Sequence, residues 1–141
     1  MAKSVETYLR WEPLPGLPEH PFSEMEVGYS GGSLTATAYY AIDPPARGVR
    51  IDFGRPEAFK VYEEFSDPWM EHTLPLPMVI NPKLNAWVWP LQEVQASAWV
   101  GRVVTRNGGL EGREWKHFVV TTMDVTLHVM VHHEPKVELI L

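Results

Sequence analysis

Proline and glycine recur so often in this chain that they leave little room for a long uninterrupted helix. The 141 residues include 13 prolines and 10 glycines, and a proline inside a helix removes a hydrogen bond and clashes with the preceding turn. Short apolar runs between such turn residues are typical of strands. The sequence therefore predicts a mainly β fold, an antiparallel barrel or sandwich of about eight short strands. We expect a single domain over residues 1–141, with a proline-rich arm at 12–22.

The clearest strand prediction comes from strict alternation of apolar and polar residues. A half-buried strand shows this period of two because successive side chains point to opposite faces. Turn-forming residues then occupy 43–48, and Val49, Ile51 and Phe53 alternate again, which predicts an antiparallel partner strand. The apolar residues of the first segment are Leu34, Ala36, Ala38, Tyr40 and Ile42.

A third alternating segment covers residues 58–65, with Phe59 and Val61 on its apolar parity. Glu63 falls on the same parity, so it either ends the strand or is a buried acid. We favour the strand end, because turn-forming residues follow at 66–68.

One short helix is predicted over residues 82–89. Asn81 is a favoured N-cap residue, and Pro82 suits the first helical position, where its missing N–H would be unpaired in any case. Pro90 ends this helix after about two turns.

The C-terminal part of the chain is predicted to be continuously β. If Met123 and Asp124 form a two-residue turn, Phe118 lies opposite Val129 and one face of the hairpin is wholly apolar. Strands are expected at residues 96–106, 113–122, 125–131 and 136–141, with a glycine-rich hairpin loop at 107–112.

The charge balance argues against nucleic acid and membranes as partners. The chain has 12 basic and 18 acidic residues and a net charge of −6, whereas nonspecific binding to nucleic acid depends on Lys and Arg that neutralise phosphates. Anionic membrane surfaces are disfavoured for the same reason. The expected partner is another protein or a second copy of this chain, as a homodimer.

The composition also bears on the cellular compartment. Cysteine is absent, which excludes a disulfide framework, a zinc finger of the cysteine type and a thiol nucleophile. The N-terminal residues lack the apolar stretch of a signal peptide, and no run approaches the roughly 18 apolar residues of a membrane-spanning helix. We therefore expect a soluble protein of the cytoplasm.

Three histidines form the one cluster that indicates chemistry. In the hairpin register given above, His117, His128 and His132 share the face opposite the apolar one. Three neutral imidazoles and a water would bind a divalent transition metal such as zinc or iron. The simpler interpretation, which we prefer, is an amphipathic sheet face with ordinary polar histidines, and it predicts no cofactor.

A closed barrel would offer a different site. Tyr40, Phe59 and Trp99 would then point inward and bind a small apolar ligand without any catalytic group. No serine lies in the Gly-x-Ser-x-Gly motif of a hydrolase elbow.

These observations favour a non-enzymatic, acidic binding or protein-interaction module. The apolar terminal strand at 137–141 would be an exposed edge unless self-association or pairing within the chain covers it. Two alternatives stay open. One is a metal-dependent enzyme or metal-binding protein that uses the three histidines, and the other is a β-barrel for a small apolar ligand.

Overall fold

The fold consists of nine strands and one helix within the described residues. A computed structural model describes residues 6–41, 47–63 and 88–141. The elements in chain order are β1 (Thr7–Arg10), β2 (Phe22–Ser30), β3 (Ser33–Tyr40), β4 (Gly48–Gly54), β5 (Ala58–Glu63), β6 (Leu91–Gln95), α1 (Ala98–Arg106), β7 (Lys116–Thr121), β8 (Val125–Val131) and β9 (Lys136–Ile140).

The strands form two antiparallel sheets. One sheet has five strands in the order β1-β6-β7-β8-β5, and the other has four in the order β2-β3-β4-β9. Over the described ranges neither sheet closes on itself, so the architecture is that of a sandwich and not of a closed barrel. The prediction of a mainly β, antiparallel fold is confirmed.

One apolar core lies between the two sheets and draws on both. Leu34 and Ile51 come from the four-stranded sheet, and Phe118 and Val129 come from the five-stranded sheet; all four are fully buried. Burial of such a side chain contributes about 1.5–3 kcal/mol. The apolar side chains on the inner faces of the strands therefore hold the two sheets together.

The alternation predicted for the first two strands is confirmed by β3 and β4, which pair antiparallel. The predicted hairpin register of β7 and β8 is also confirmed, with Phe118 opposite Val129. Its turn lacks the glycine that such turns favour. Instead, the Thr122 hydroxyl donates to the Val125 carbonyl oxygen at 2.9 Å and accepts the Val125 and Asp124 N–H groups at 3.0 and 3.2 Å.

The predicted strand at 96–106 is wrong, because this segment forms α1. Ser97 is its N-cap and accepts the N–H of Val100 at 3.1 Å. Trp99 and Val103 are four residues apart, a spacing that suits one face of a helix as well as it suits a strand. The glycine-rich loop that follows therefore links a helix to β7 and is not part of a hairpin.

The helix predicted at 82–89 lies mostly outside the described residues, which resume at Val88. Val88 forms an isolated bridge and Trp89 is not helical.

The end of β5 resolves the conflict at Glu63. Glu63 is the last described residue of β5 and is exposed, so the buried acid is wrong. The predicted turn at 66–68, on which the strand-end interpretation depends, lies outside the described residues. Val61, on the same parity, is 45% exposed. The reason is that β5 is the edge strand of its sheet, where the inner face is only partly covered.

The proline-rich arm connects β1 to β2 as irregular backbone packed on the core. Leu17 is buried in the core, and Leu14 packs against it. The Trp89 indole N–H donates to the Trp11 carbonyl oxygen at 2.9 Å, and the Arg10 guanidinium lies 3.7 Å from the centre of the Trp89 ring. These contacts fix the residues that lead into the arm, while Leu17 and Leu14 pack the arm itself on the core.

No helix in the described ranges is long and apolar enough to cross a membrane.

Replacing Gly48 by alanine is expected to destabilise the four-stranded sheet. An added Cβ would overlap the carbonyl oxygen of Ala38 in the neighbouring strand, so the backbone must shift. Overpacking of this kind costs about 1–3 kcal/mol, which urea unfolding followed by tryptophan fluorescence would measure. Gly28→Ala is the matched control, since its Cβ would meet the Thr35 hydroxyl at an ordinary 3.4 Å. Equal losses in the two variants would contradict the close strand approach at Gly48.

Candidate functional site

The outer face of the five-stranded sheet buries two histidines beneath α1. His117 on β7 and His128 on β8 are 4% and 2% exposed. The ring of Trp99 on α1 contacts both imidazoles edge-on, with centroid separations of 4.9 and 6.2 Å. Val119 and Met130, which share this face, are fully buried. The helix therefore turns an outer sheet face into a second, partly polar interior.

A serine and the two histidines form a continuous hydrogen-bonded chain on this face. The Oγ of Ser97 lies 2.8 Å from Nδ1 of His117, and Nε2 of His117 lies 2.9 Å from Nδ1 of His128. Ser97 and His117 are 20 residues apart in sequence. We call this arrangement the Ser97–His117–His128 chain.

The position of Ser97 is set by a tight change from strand to helix. β6 ends at Gln95, Ala96 has a φ of +55° and Ser97 begins the helix. Ala96 is the only non-glycine residue with positive φ among the described ones, and a residue held there costs about 1–3 kcal/mol. The Glu6 carboxylate, just before β1, accepts the Ala98 N–H at 3.0 Å and supports this turn. The hydroxyl is thus held at a fixed point over His117.

Two directions of hydrogen bonding satisfy the chain. In the first, the Ser97 hydroxyl donates to Nδ1 of His117, and the Nε2–H of His117 donates to Nδ1 of His128. In the second, the Nδ1–H of His128 donates to Nε2 of His117, and the Nδ1–H of His117 donates to the Ser97 oxygen. The Ser97 oxygen then accepts from His117 as well as from the Val100 N–H. Both need a neutral His117 with one protonated nitrogen.

The surroundings of His117 keep it neutral. Burial lowers the pKa of His117 well below its usual range, and electrostatic interactions with the neighbouring His128 and Lys60 act in the same direction. Lys60 extends across the same face, with its Nζ 4.6 Å from the centre of the Trp99 ring and 5.2 Å from that of Tyr62. A neutral imidazole is the form that can accept a proton.

Two further polar atoms on this face are buried without a hydrogen-bond partner. They are the Oε1 of Gln92 on β6 and the Oγ1 of Thr121 on β7. Their strand positions place both residues on the same side of the sheet as His117. An unpaired buried polar group costs about 1–3 kcal/mol. This face therefore carries an energetic cost that the apolar core on the other side of the sheet does not.

A cleft of about 460 Å³ opens beside the Ser97–His117–His128 chain, between α1 and the adjoining strands. Ser97 and His117 both line this cleft, so the Ser97–His117–His128 chain is connected to solvent through it. The remaining lining residues are Glu93, Val94, Gln95, Ala96, Val100, Gly101, Glu114, Trp115 and Lys116. We call this space the α1 cleft.

The structure brings together two of the three histidines of the predicted metal site. His132 is exposed, and its ring contacts those of Trp115 and His133 at centroid separations of 5.6 and 5.0 Å. β8 ends at Val131, so His132 has left the strand alternation that would have aimed it at His117. Within the described ranges no three His, Cys, Asp or Glu side chains are placed to hold a metal ion. A metal site formed by the three histidines stays a prediction.

The three residues of the predicted apolar pocket lie in different places. Tyr40 is buried in the core between the sheets, 4.8 Å from the Phe22 ring, and burial raises its pKa to about 12. Phe59 contacts Tyr29 at 5.1 Å. Trp99 stands on the opposite side of the five-stranded sheet, over the histidines.

Ser97 is the site residue that sequence reasoning missed. A serine followed by apolar residues four apart, Trp99 with Val103, is the signal of a helix N-cap. Interpreting the segment as a strand hid that signal, and it also hid the cover that the helix places over His117 and His128.

A scan of protein-family models, a search of curated proteins and a search of solved structures each returned no match to this chain.

The buried imidazole predicts a pH dependence of stability. In the unfolded chain His117 has the ordinary pKa of about 6.5, whereas in the folded chain its pKa is lowered. Below about pH 6.5 the unfolded state binds a proton that the folded state does not. The free energy of unfolding therefore decreases as the pH is lowered below about 6.5. For one proton the slope is at most about 1.4 kcal/mol per pH unit, and it ends below the folded-state pKa.

Urea unfolding at several pH values between about 5 and 8 would measure this slope. His117→Gln is expected to flatten it, and His132→Gln, at an exposed position, is the matched control that keeps it. If His117→Gln retained the full slope, the neutral state of His117 would be refuted.

Proposed function

We propose that this protein is a binding module that takes a small polar organic ligand in the α1 cleft. The observation that supports it is the convergence of two fixed polar groups, Ser97 and His117, on a cleft of about 460 Å³. Ligand sites are typically concave, with a few polar groups that fix orientation beside apolar walls. Here Val94, Val100 and Trp115 supply the apolar part of the lining.

The charges around the cleft favour a neutral or cationic ligand. Glu93 and Glu114 line it, together with a single cation, Lys116. The Lys116 ammonium already lies 3.2 Å from the Glu134 carboxylate and 3.8 Å from that of Glu93. Its charge is therefore largely balanced within the protein, and an anionic ligand would face an excess of carboxylates.

NMR titration with a panel of small amines, alcohols, amides and carboxylates tests this function. We expect amines or neutral compounds to shift the Val100 amide and His117 ring signals, and carboxylates to have weaker effects. Gly101→Leu should weaken binding about tenfold or more, because Gly101 lines the cleft and an added Cβ there meets no atom within 4 Å, so a larger side chain is expected to occupy ligand space. Gly109→Leu, equally unobstructed but away from the cleft, is the control. A panel that leaves the cleft signals unmoved would reject the function.

A second candidate function is self-association through β9. Among the described strands β9 pairs only with β4, and it carries Leu139 at 40% exposure, followed by Leu141 at 85%. The Ile140 carbonyl oxygen accepts the Arg47 N–H at 2.7 Å, so the backbone of Ile140 faces β4. Since backbone groups alternate along a strand, those of Leu139 face the other side, where a second strand could add.

Leu139→Pro tests this candidate by removing an N–H from the open side while sparing the bonds to β4. We expect a concentration-dependent mass for the parent protein in analytical ultracentrifugation and a monomer for the proline variant. Leu139→Val keeps the N–H and is expected to behave like the parent. A parent protein that stays monomeric at about 1 mM would exclude self-association at a useful affinity.

We also propose a cytoplasmic location, which the cysteine-free composition supports, and a lack of nucleic-acid or membrane partners, which the net charge of −6 supports.

A further inference from the structure

We propose that Ser97 is a nucleophile for acyl transfer, with His117 as its general base and His128 as a positioning residue. The inference rests on the proposed function, because a substrate must first enter the α1 cleft. It assigns ester hydrolysis as the reaction class and carboxylic esters as the substrate class.

The geometry matches the roles that nucleophilic catalysis requires. A nucleophile must lie within hydrogen-bond reach of a base, and a third group must orient that base. Ser97 and His117 are 2.8 Å apart, and His128 holds the far nitrogen of His117 at 2.9 Å. Because the roles define such a site and not the residue order or motif, the lack of a Gly-x-Ser-x-Gly sequence does not conflict with it.

Helix capping accounts for only part of this arrangement. As the N-cap, the Ser97 oxygen uses one lone pair to accept the Val100 N–H at 3.1 Å. The hydroxyl proton is not needed for that bond and is available to Nδ1 of His117. The helix N-terminus is also a region of positive potential, which favours loss of the proton from Oγ to His117.

The reaction is balanced without a cofactor or a redox partner. Ser97 Oγ attacks the ester carbonyl carbon while its proton passes to Nδ1 of His117, and Nε2 of His117 keeps its own proton, which stays hydrogen-bonded to Nδ1 of His128. The bond from the acyl carbon to the alcohol oxygen then breaks, and the alcohol leaves with the proton from Nδ1. Water then attacks the carbonyl carbon of the acyl-serine and gives a proton to Nδ1 of His117. The bond from the acyl carbon to Ser97 Oγ breaks, the acid leaves, and Oγ takes back a proton from Nδ1.

A fluorophosphonate probe tests the nucleophile directly, because it forms a phosphorus–oxygen bond to an activated serine and releases fluoride. We expect one label per chain by intact-mass spectrometry, located on Ser97 by peptide mapping. Ser97→Asn keeps a favoured N-cap but lacks a hydroxyl, so it should fold and lose the label. Ser23→Ala is the matched control, since the Ser23 hydroxyl donates to the Tyr39 carbonyl oxygen, away from the cleft.

Hydrolysis of p-nitrophenyl acetate tests the two histidines. His117→Gln is expected to lower the rate by about 100-fold, as is typical for loss of a general base. In His128→Asn the side-chain oxygen can still accept from His117, so the rate should stay within about tenfold of the parent, whereas His128→Leu should lose about 100-fold. Equal rates in these two His128 variants would remove His128 from the mechanism.

The outcomes separate this inference from the function on which it rests. If panel compounds bind in the α1 cleft but Ser97 takes no label, or Ser97→Asn is labelled as strongly as the parent, the nucleophile is rejected and the binding module stands. If nothing binds in the cleft and Ser97 takes no label, both are rejected.

Discussion

The pairing of β7 with β8 is the constraint on which the rest of this structure depends. Its register puts Phe118 and Val129 on one face and His117 and His128 on the other. Because these two strands lie inside the five-stranded sheet, both of their faces must be covered. The four-stranded sheet covers the apolar face and α1 covers part of the polar one. The same backbone pairing therefore produces the core and the candidate site together.

Helix α1 gives the polar face its chemical character. Without it, His117 and His128 would be exposed side chains on an amphipathic sheet, with no reason for a lowered pKa at His117. The Trp99 ring over both imidazoles removes water from them, and the N-cap brings the Ser97 oxygen to Nδ1 of His117. A binding site and a nucleophile thus depend on one short helix that has no fully buried residue of its own.

The sequence predicted the sheets better than it predicted the helix, for a physical reason. In β3 and β4 the alternation reports burial on a single face, and this pattern has no good helical alternative. The segment 98–106 has apolar residues whose spacing fits either a helix or a buried strand, and what decides between them is the cap at Ser97 with the carboxylate of Glu6 beside it. Glu6 reaches α1 from the position just before β1, so this support is a tertiary contact across 92 positions.

The sequence by itself determined the mainly β class, the inward parity of the best strands and the turn at Met123 and Asp124, because these follow from the local periodicity of apolar residues. It also placed His117 and His128 on one face. Only the tertiary structure decided that His132 stays outside, since β8 ends one residue too early, and that Ser97 joins the two histidines. Hydrogen bonds between residues far apart in sequence depend on how strands and helix pack, and no local pattern encodes that packing.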